Sequence, residues 1–179
     1  MSELSTPVRA PWWPATVHTP RLCMRPVTAQ DLDAVERLWR DERVRQYLGG
    51  PVTEEKIRIR RSRIPGMPGV FAVTDLRTRT VLGTVTVEPH SSRGATEVSY
   101  TLLPEHWGRG VGREAVGAAV EWALRSVPGT EQIVAVTQAA NTASRILLES
   151  LGMRCTGELV EYGARQAVYR GGTPTGSDD

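Results

Sequence analysis

Gly108, Gly110 and Gly112 occupy alternate positions in the run Trp107-Gly108-Arg109-Gly110-Val111-Gly112-Arg113. Glycine at that spacing lets the backbone take positive φ and removes the side chains that would block a close approach. Several N–H groups can then converge on one point ahead of a helix N-terminus, which suits a phosphate or pyrophosphate. Arg109 and Arg113 add positive charge to the same loop. On the N-terminal side, Val98, Tyr100 and Leu102 alternate with Glu97, Ser99 and Thr101, the pattern of a strand. Pro104 stops that ladder because it has no N–H to donate. On the C-terminal side, Ala115, Val116, Ala119, Val120 and Ala123 form the apolar face of a helix suited to packing on a sheet.

Other phosphate loops and other chemistries fit less well. No Gly-Lys-Ser/Thr occurs, so the Walker pattern is absent. Gly110 to Ala115 reads Gly-x-Gly-x-x-Ala, a superficial dinucleotide fingerprint. That fingerprint follows its strand directly and opens its domain, with an acidic residue closing the next strand. Here Pro104-Glu105-His106-Trp107 intervenes, the loop lies past the middle of the chain, and the next strand ends at Thr137-Gln138. Cys23 and Cys155 lie far apart and the three histidines do not cluster, so no zinc-ligand spacing is present. No Cys–His or Ser–His–Asp arrangement suggests a covalent intermediate.

A second stretch, Asn141 to Met153, follows one helix and one strand later. As a local pattern, Asn141 caps a helix carrying Ile146, Leu147 and Leu151, and Gly152 closes it. The two stretches together resemble the GNAT superfamily of N-acetyltransferases. The first is similar to that superfamily's Gln/Arg-x-x-Gly-x-Gly/Ala signature, with Trp107 at the Gln/Arg position. Its Trp-Gly-x-Gly form, continued by Arg113-Glu114-Ala115, looks most like the branch of the ribosomal-protein N-terminal acetyltransferases. The second resembles the signature Asn, a small residue three on, often Tyr seven on, then Gly-Phe. Asn141, Ser144 and Gly152 match it, whereas Leu148 stands at the Tyr position and Met153 at the Phe position. Thr19-Pro20-Arg21-Leu22 ahead of Arg25-Pro26-Val27-Thr28 resembles the opening of the same branch.

The resemblance implies direct transfer of acetyl from acetyl-CoA to a primary amine, with no metal. It implies that the backbone of Tyr100, Thr101 and Leu102 pairs with the pantetheine arm. Gly108, Arg109, Gly110, Val111, Gly112 and Arg113 would hold the pyrophosphate, and Asn141 joins the cofactor-binding set. Ser144 takes the role of acid toward the departing thiolate. Glu97 is the candidate base, one residue from the position used by the histone-acetylating relatives, and a water relay is its alternative. Val136 occupies the place where other relatives carry a Glu. The acceptor is expected to be a protein or peptide α-amine; the alternatives are an antibiotic or polyamine, or a non-catalytic acyl-CoA-binding module. The basic segment Lys56, Arg58, Arg60, Arg61 and Arg63 reads as a solvated helix face or as an attractor of acidic acceptors.

These residues need a scaffold, and the rest of the chain supplies one. With 179 residues and 40% hydrophobic content, one domain with a sizeable core is expected. Strands are expected at 21–27, 70–74, 81–87, 97–102, 133–136, 153–160 and 164–169. Helices are expected after the capping-box spacing Thr28-Ala29-Gln30-Asp31, fraying near Arg45 and ended by Gly49-Gly50-Pro51, then from a Thr53 cap to a break at Pro65-Gly66, after the glycine loop and after Asn141. This is an α+β chain with a single mixed, mostly antiparallel sheet of about seven strands and helices on both faces. Residues 1–20, punctuated by proline, read as a flexible arm, 21–170 as the acetyltransferase domain and 171–179 as a disordered tail. Trp12 and Trp13 either pack on the domain edge or serve the acceptor cleft or a subunit contact. Both cysteines sit in strands and are expected to be buried thiols. A net charge of +2 gives no reason to expect nucleic acid as a partner. No signal peptide or apolar run of membrane-spanning length is present, so the expectation is a cytoplasmic monomer or homodimer without a membrane partner.

Overall fold

The computed structural model describes residues 10–89 and 91–172. Its strands are β1 (Val17–His18), β2 (Leu22–Pro26), β3 (Val70–Asp75), β4 (Val81–Glu88), β5 (Thr96–Leu102), β6 (Ile133–Gln138), β7 (Arg154–Glu161) and β8 (Ala164–Gly171). They form one eight-stranded sheet in the order β1-β2-β3-β4-β5-β6-β8-β7. Every neighbouring pair is antiparallel except β5 and β6. The seven expected strands are all present, and the eighth is the two-residue β1, too short to leave a pattern in the sequence. β1 and the packed Trp12 and Trp13 fall inside the stretch whose prolines suggested an arm. Residues 1–9 and 173–179, which hold the rest of that arm and most of the tail, lie outside the described residues.

Two cores flank the sheet because successive residues of a strand point to opposite faces. On β3, Phe71 and Val73 enter one core and Val70 and Ala72 the other. The first core lies under α4 (Val111–Ser126) and α5 (Thr142–Ser150), through Val111, Ala115, Val116, Ala119, Trp122, Ala123 and Leu148. The second lies under α1 (Leu32–Arg40) and α3 (Glu54–Arg63), through Val35, Leu38, Trp39 and Ile57. Trp12 and Trp13 close the first core: Trp12 packs on Trp122 at 5.9 Å between ring centroids, and Trp13 on Phe71 at 4.9 Å, both edge-to-face. The Trp13 indole donates to the Gly66 carbonyl at 3.1 Å. The pair is therefore part of the packing at the domain edge.

Three local expectations change. The helix after Asp31 does not run to Arg45, because Asp41 takes an extended ψ of 118° and ends α1. Its side chain accepts from the Arg43 and Val44 amides and starts a separate turn, α2 (Glu42–Arg45), so a good cap wins over helix continuation. Cys155 is exposed, because β7 is the outer strand of the sheet, while Cys23 is half-buried. Ile146, read as part of an apolar face, is exposed, and Leu147, Leu148 and Leu151 meet the core instead. The Asp31 carboxylate accepts from the Thr28 amide at 2.7 Å and the Thr28 hydroxyl at 2.8 Å. It also pairs with both terminal nitrogens of Arg25, which fixes the turn between β2 and α1.

Candidate active site

Where β5 and β6 run side by side, their register covers Thr96–Ile133 and Glu97–Val134 and goes no further among the described residues. β5 nevertheless stays paired with β4 out to Leu102, and β6 with β8 out to Gln138. The two parallel strands thus part after Glu97 and leave a gap between their C-terminal halves. Leu103 donates its amide to the Leu82 carbonyl of β4. Backbone direction alternates along a strand, so Thr101 and Ser99 also face β4, and Tyr100 and Leu102 face the gap. Of the three residues expected to pair with an extended ligand, Tyr100 offers its amide and carbonyl and Leu102 its amide, its carbonyl being held by the Trp107 indole, while Thr101 is committed to β4. The Thr101 hydroxyl likewise bonds Thr84 across that pair, at 3.0 Å.

The glycine loop sits at the end of β5. Gly108 and Gly110 take φ of 70° and 73°, in the left-handed region that favours glycine. Gly110 is the N-cap of α4, so the loop delivers the unpaired first-turn amides of a 16-residue helix toward the mouth of the gap. Gly112 serves another purpose: a Cβ there would lie 2.7 Å from the Leu147 Cδ1 and 3.2 Å from the Leu102 Cδ1. Its missing side chain lets α4, α5 and β5 meet. Trp107, in place of the usual Gln/Arg, donates its indole N–H to the Leu102 carbonyl at 2.9 Å and ties the loop back to the strand. Among the described residues neither Arg109 nor Arg113 pairs with a carboxylate, so both charges are available.

Arg21 is the residue that the sequence reading missed. Its Nε donates to Glu114 at 2.6 Å and its Nη1 to the Arg109 carbonyl at 3.0 Å, so one side chain braces both the loop and the first turn of α4. The Arg21 amide and the Thr19 hydroxyl also donate to Glu114. Burial works against ionisation of Glu114, but these hydrogen bonds and the Arg21 charge outweigh it and hold its carboxyl below its ordinary value. A carboxylate engaged by Arg21 and Thr19 in this manner has its charge met and leaves the helix N-terminus free for another anion. Thr19, Arg21, Arg113, Glu114 and Ala115 carried the family likeness at the sequence level, but only the fold shows that Arg21 and Glu114 touch.

The proton-handling residues lie on opposite faces of β5. Val98, Tyr100 and Leu102 face the core under α4 and α5, so Glu97 points to the other face. Asn141 caps α5, accepting from the Ser144 amide at 3.1 Å. That cap fixes Ser144 in the first turn, and its hydroxyl meets the Tyr100 hydroxyl at 2.7 Å. Burial raises the Tyr100 phenol above its ordinary pKa, with the Ser144 hydrogen bond opposing, so it is protonated at neutral pH. Leu148, at the position of the family's usual Tyr, is 1% exposed and belongs to the core. Glu97 stands at the last β5–β6 pair, at the vertex of the gap. Its carboxyl is raised above its ordinary value by burial, with Arg93 at 3.4 Å opposing and Glu88 adding to the rise. Arg93 is shared with Glu161 at 2.6 Å. The structure thus brings Tyr100, Leu102, Asn141 and Ser144 to the gap and the glycines to its mouth, and sets Glu97 apart from them.

A family model described as an acetyltransferase (GNAT) domain matches residues 21–154. An N-acetyltransferase of Bacillus licheniformis called p20, itself uncharacterized, is 29% identical over 155 residues, covering 82% of this chain and 86% of that protein. Among solved structures, a GNAT-family acetyltransferase from Bacillus anthracis aligns with a TM-score of 0.78 at 23% identity, over 87% of this chain and 97% of that one. Two others share the fold: a ribosomal-protein-S5-alanine acetyltransferase from Vibrio fischeri, with a TM-score of 0.71, 17% identity and coverage of 90% and 98%; and a spermidine N-acetyltransferase from Vibrio cholerae solved with CoA and spermine, with a TM-score of 0.69, 22% identity and coverage of 85% and 94%.

Proposed function

The chain belongs to the acetyltransferase (GNAT) family and is an acetyl-CoA-dependent N-acetyltransferase, and from that premise we propose that its acceptor is the α-amine of a peptide or protein. The observation that carries this reading is the position of Glu97. It lies three residues from Tyr100 along β5, about 10 Å at the rise of a strand, and on the opposite face. A carboxylate so placed takes the amine's proton through water and not by contact. Such a base suits an amine that gives up its proton easily. An α-amino group, with a pKa near 8, is easier to deprotonate than a lysine-type amine by roughly 2 units, or ~3 kcal/mol.

In this reading the acetyl thioester lies in the gap between β5 and β6, with the pantetheine arm on the backbone of Tyr100 and Leu102. The pyrophosphate rests on the loop from Gly108 to Arg113. The amine enters on the face of Glu97 and attacks the thioester carbonyl, and the thiolate leaves on the face of Tyr100 and Ser144. Base and acid then serve separate events, Glu97 taking up the amine's proton and Ser144 supplying the proton to the thiolate.

Acidic acceptors remain part of the proposal, but fewer basic residues support it. Arg61 pairs with Glu36 and Asp33, and Arg60 lies 5.6 Å over the Trp39 ring. Lys56, Arg58 and Arg63 have no carboxylate partner among the described residues and supply the attraction. A second reading has its own observation: Glu88 and Glu161 lie close enough to act on Glu97, three carboxylates in one patch that would draw a polyamine. A competition assay separates the two. Acidic peptides with free N-termini, lysine peptides with blocked N-termini, and spermidine are offered together with limiting acetyl-CoA. The α-amine peptides are expected to take most of the acetyl, and less of it in Lys56→Glu/Arg58→Glu. Preference for spermidine would transfer the proposal to the second reading.

Glu97 makes a further prediction. A base works only when deprotonated, and burial lifts this carboxyl above its ordinary value. The kcat/KM profile is therefore expected to fall as pH drops through a point above the usual carboxylate range. Glu97→Gln should remove that acid limb and lower the plateau by about tenfold, matching the roughly one unit between an α-amine and neutrality. An unchanged profile in the variant would assign the limb to the acceptor alone.

A further inference from the structure

The family's usual proton donor is a tyrosine on α5, and here that position is Leu148, sealed in the core. Another tyrosine reaches the same helix from the opposite side of the gap. Tyr100 comes from β5, and its hydroxyl meets that of Ser144 at 2.7 Å. Among the described residues this is the one side-chain hydrogen bond joining β5 to α5. The Asn141 cap holds the Ser144 end of it at the start of α5. A serine hydroxyl alone is a poor acid, and a partly buried phenol needs a partner for its O–H. Each group supplies what the other lacks.

We propose that Tyr100 and Ser144 work as one proton-donating pair, in which Tyr100 replenishes Ser144 as the thiolate leaves. The inference rests on the reading of Ser144 as the acid. As the carbon–sulfur bond breaks, the sulfur takes the Ser144 hydroxyl proton and Ser144 takes the phenolic proton of Tyr100. Tyr100 is left as the phenolate and regains a proton from water before the next turnover. The proton shed by the amine leaves on the other face, through water to Glu97 and from Glu97 to bulk water, which offsets the proton that Tyr100 takes back. One amine and one thioester thus give one amide and one thiol, with no proton unaccounted for. Tyr100 acts through Ser144, so it is a positioning and relay residue and does not itself touch the sulfur.

The test compares Tyr100→Phe, Ser144→Ala and the double variant with the parent enzyme, at saturating acetyl-CoA and acceptor. Phenylalanine keeps the ring and its packing and removes only the hydroxyl. Tyr100→Phe is expected to lower kcat by about tenfold with the KM for acetyl-CoA changed less than twofold. The double variant should be no slower than the slower single variant, as for groups that act as a unit. Replacing Tyr100 by 3-fluorotyrosine, a stronger acid of nearly the same size, should move the alkaline limb of the kcat profile to lower pH. A structural tyrosine would leave that limb in place. If Ser144→Ala lowers kcat while Tyr100→Phe and the fluorotyrosine enzyme match the parent, the relay is overturned and Ser144 stands as the acid. If none of the variants loses kcat, the reading of Ser144 falls as well.

Discussion

Replacing Gly110 by valine is expected to raise the dissociation constant for CoA by at least a hundredfold, with the fold retained. Gly110 holds φ at 73°, where an L residue pays about 1–2 kcal/mol and a β-branched one more. A Cβ there would also approach the Arg21 Nη2 at 3.3 Å, and Arg21 is the side chain that fixes the Arg109 carbonyl. The loop escapes the strain by rotating its peptides, and its amides no longer converge. Losing two donors to a charged group, at roughly 1.5 kcal/mol each, gives about 3 kcal/mol, or a little over a hundredfold. Calorimetry with CoA, alongside a thermal melt, measures both sides of this. Gly108→Ala is the graded control: φ is 70° there, but no atom lies within 4 Å of the added Cβ, so a smaller loss is expected. Unchanged affinity in a folded Gly110→Val would place the pyrophosphate elsewhere.

Ser144→Ala is expected to lower kcat by tens of fold while acetyl-CoA binding stays nearly intact. The thiolate has a pKa near 8.5, about one to two units above neutrality, so an acid can contribute only a modest factor. The variant keeps the start of α5, because Asn141 caps through the Ser144 amide and not its hydroxyl. It leaves the Tyr100 phenol without its partner, a cost of about 1 kcal/mol in stability that a melt will register separately. Steady-state kinetics on both substrates reads the division. A rise in KM with kcat unchanged would make Ser144 a binding residue and send the search for the acid elsewhere.

Strands that bury one or both faces announced themselves in the sequence through their apolar residues, and so did α4 through Ala115, Val116, Ala119 and Ala123. The glycine loop was legible because positive φ and close approach leave few residues to choose from. What stayed hidden depends on contacts between distant segments. Tyr100 and Ser144 are 44 residues apart, and Arg21 and Glu114 are 93 apart. Alternation along β5 does put Tyr100 on the face of Val98 and Glu97 on the other, but which face carries α5 is decided by the crossover and not by β5. Packing of Trp12 and Trp13 on the domain edge was one of two readings of that pair, but nothing local says that Phe71 and Trp122 are the residues beneath them. The break at Asp41 turned on one side chain that can cap a helix as readily as continue one.

The account is tested most directly by following the acetyl group itself. The protein is mixed with acetyl-labelled acetyl-CoA and a peptide bearing a free N-terminus, and label in peptide, in protein and in released thiol are counted together. Direct transfer in the gap between β5 and β6 gives one thiol for each labelled amide, no label on the protein at any time, and intersecting initial-rate lines when both substrates are varied. Label trapped on the protein with parallel lines, or CoA bound with no amide formed from any amine, would contradict it.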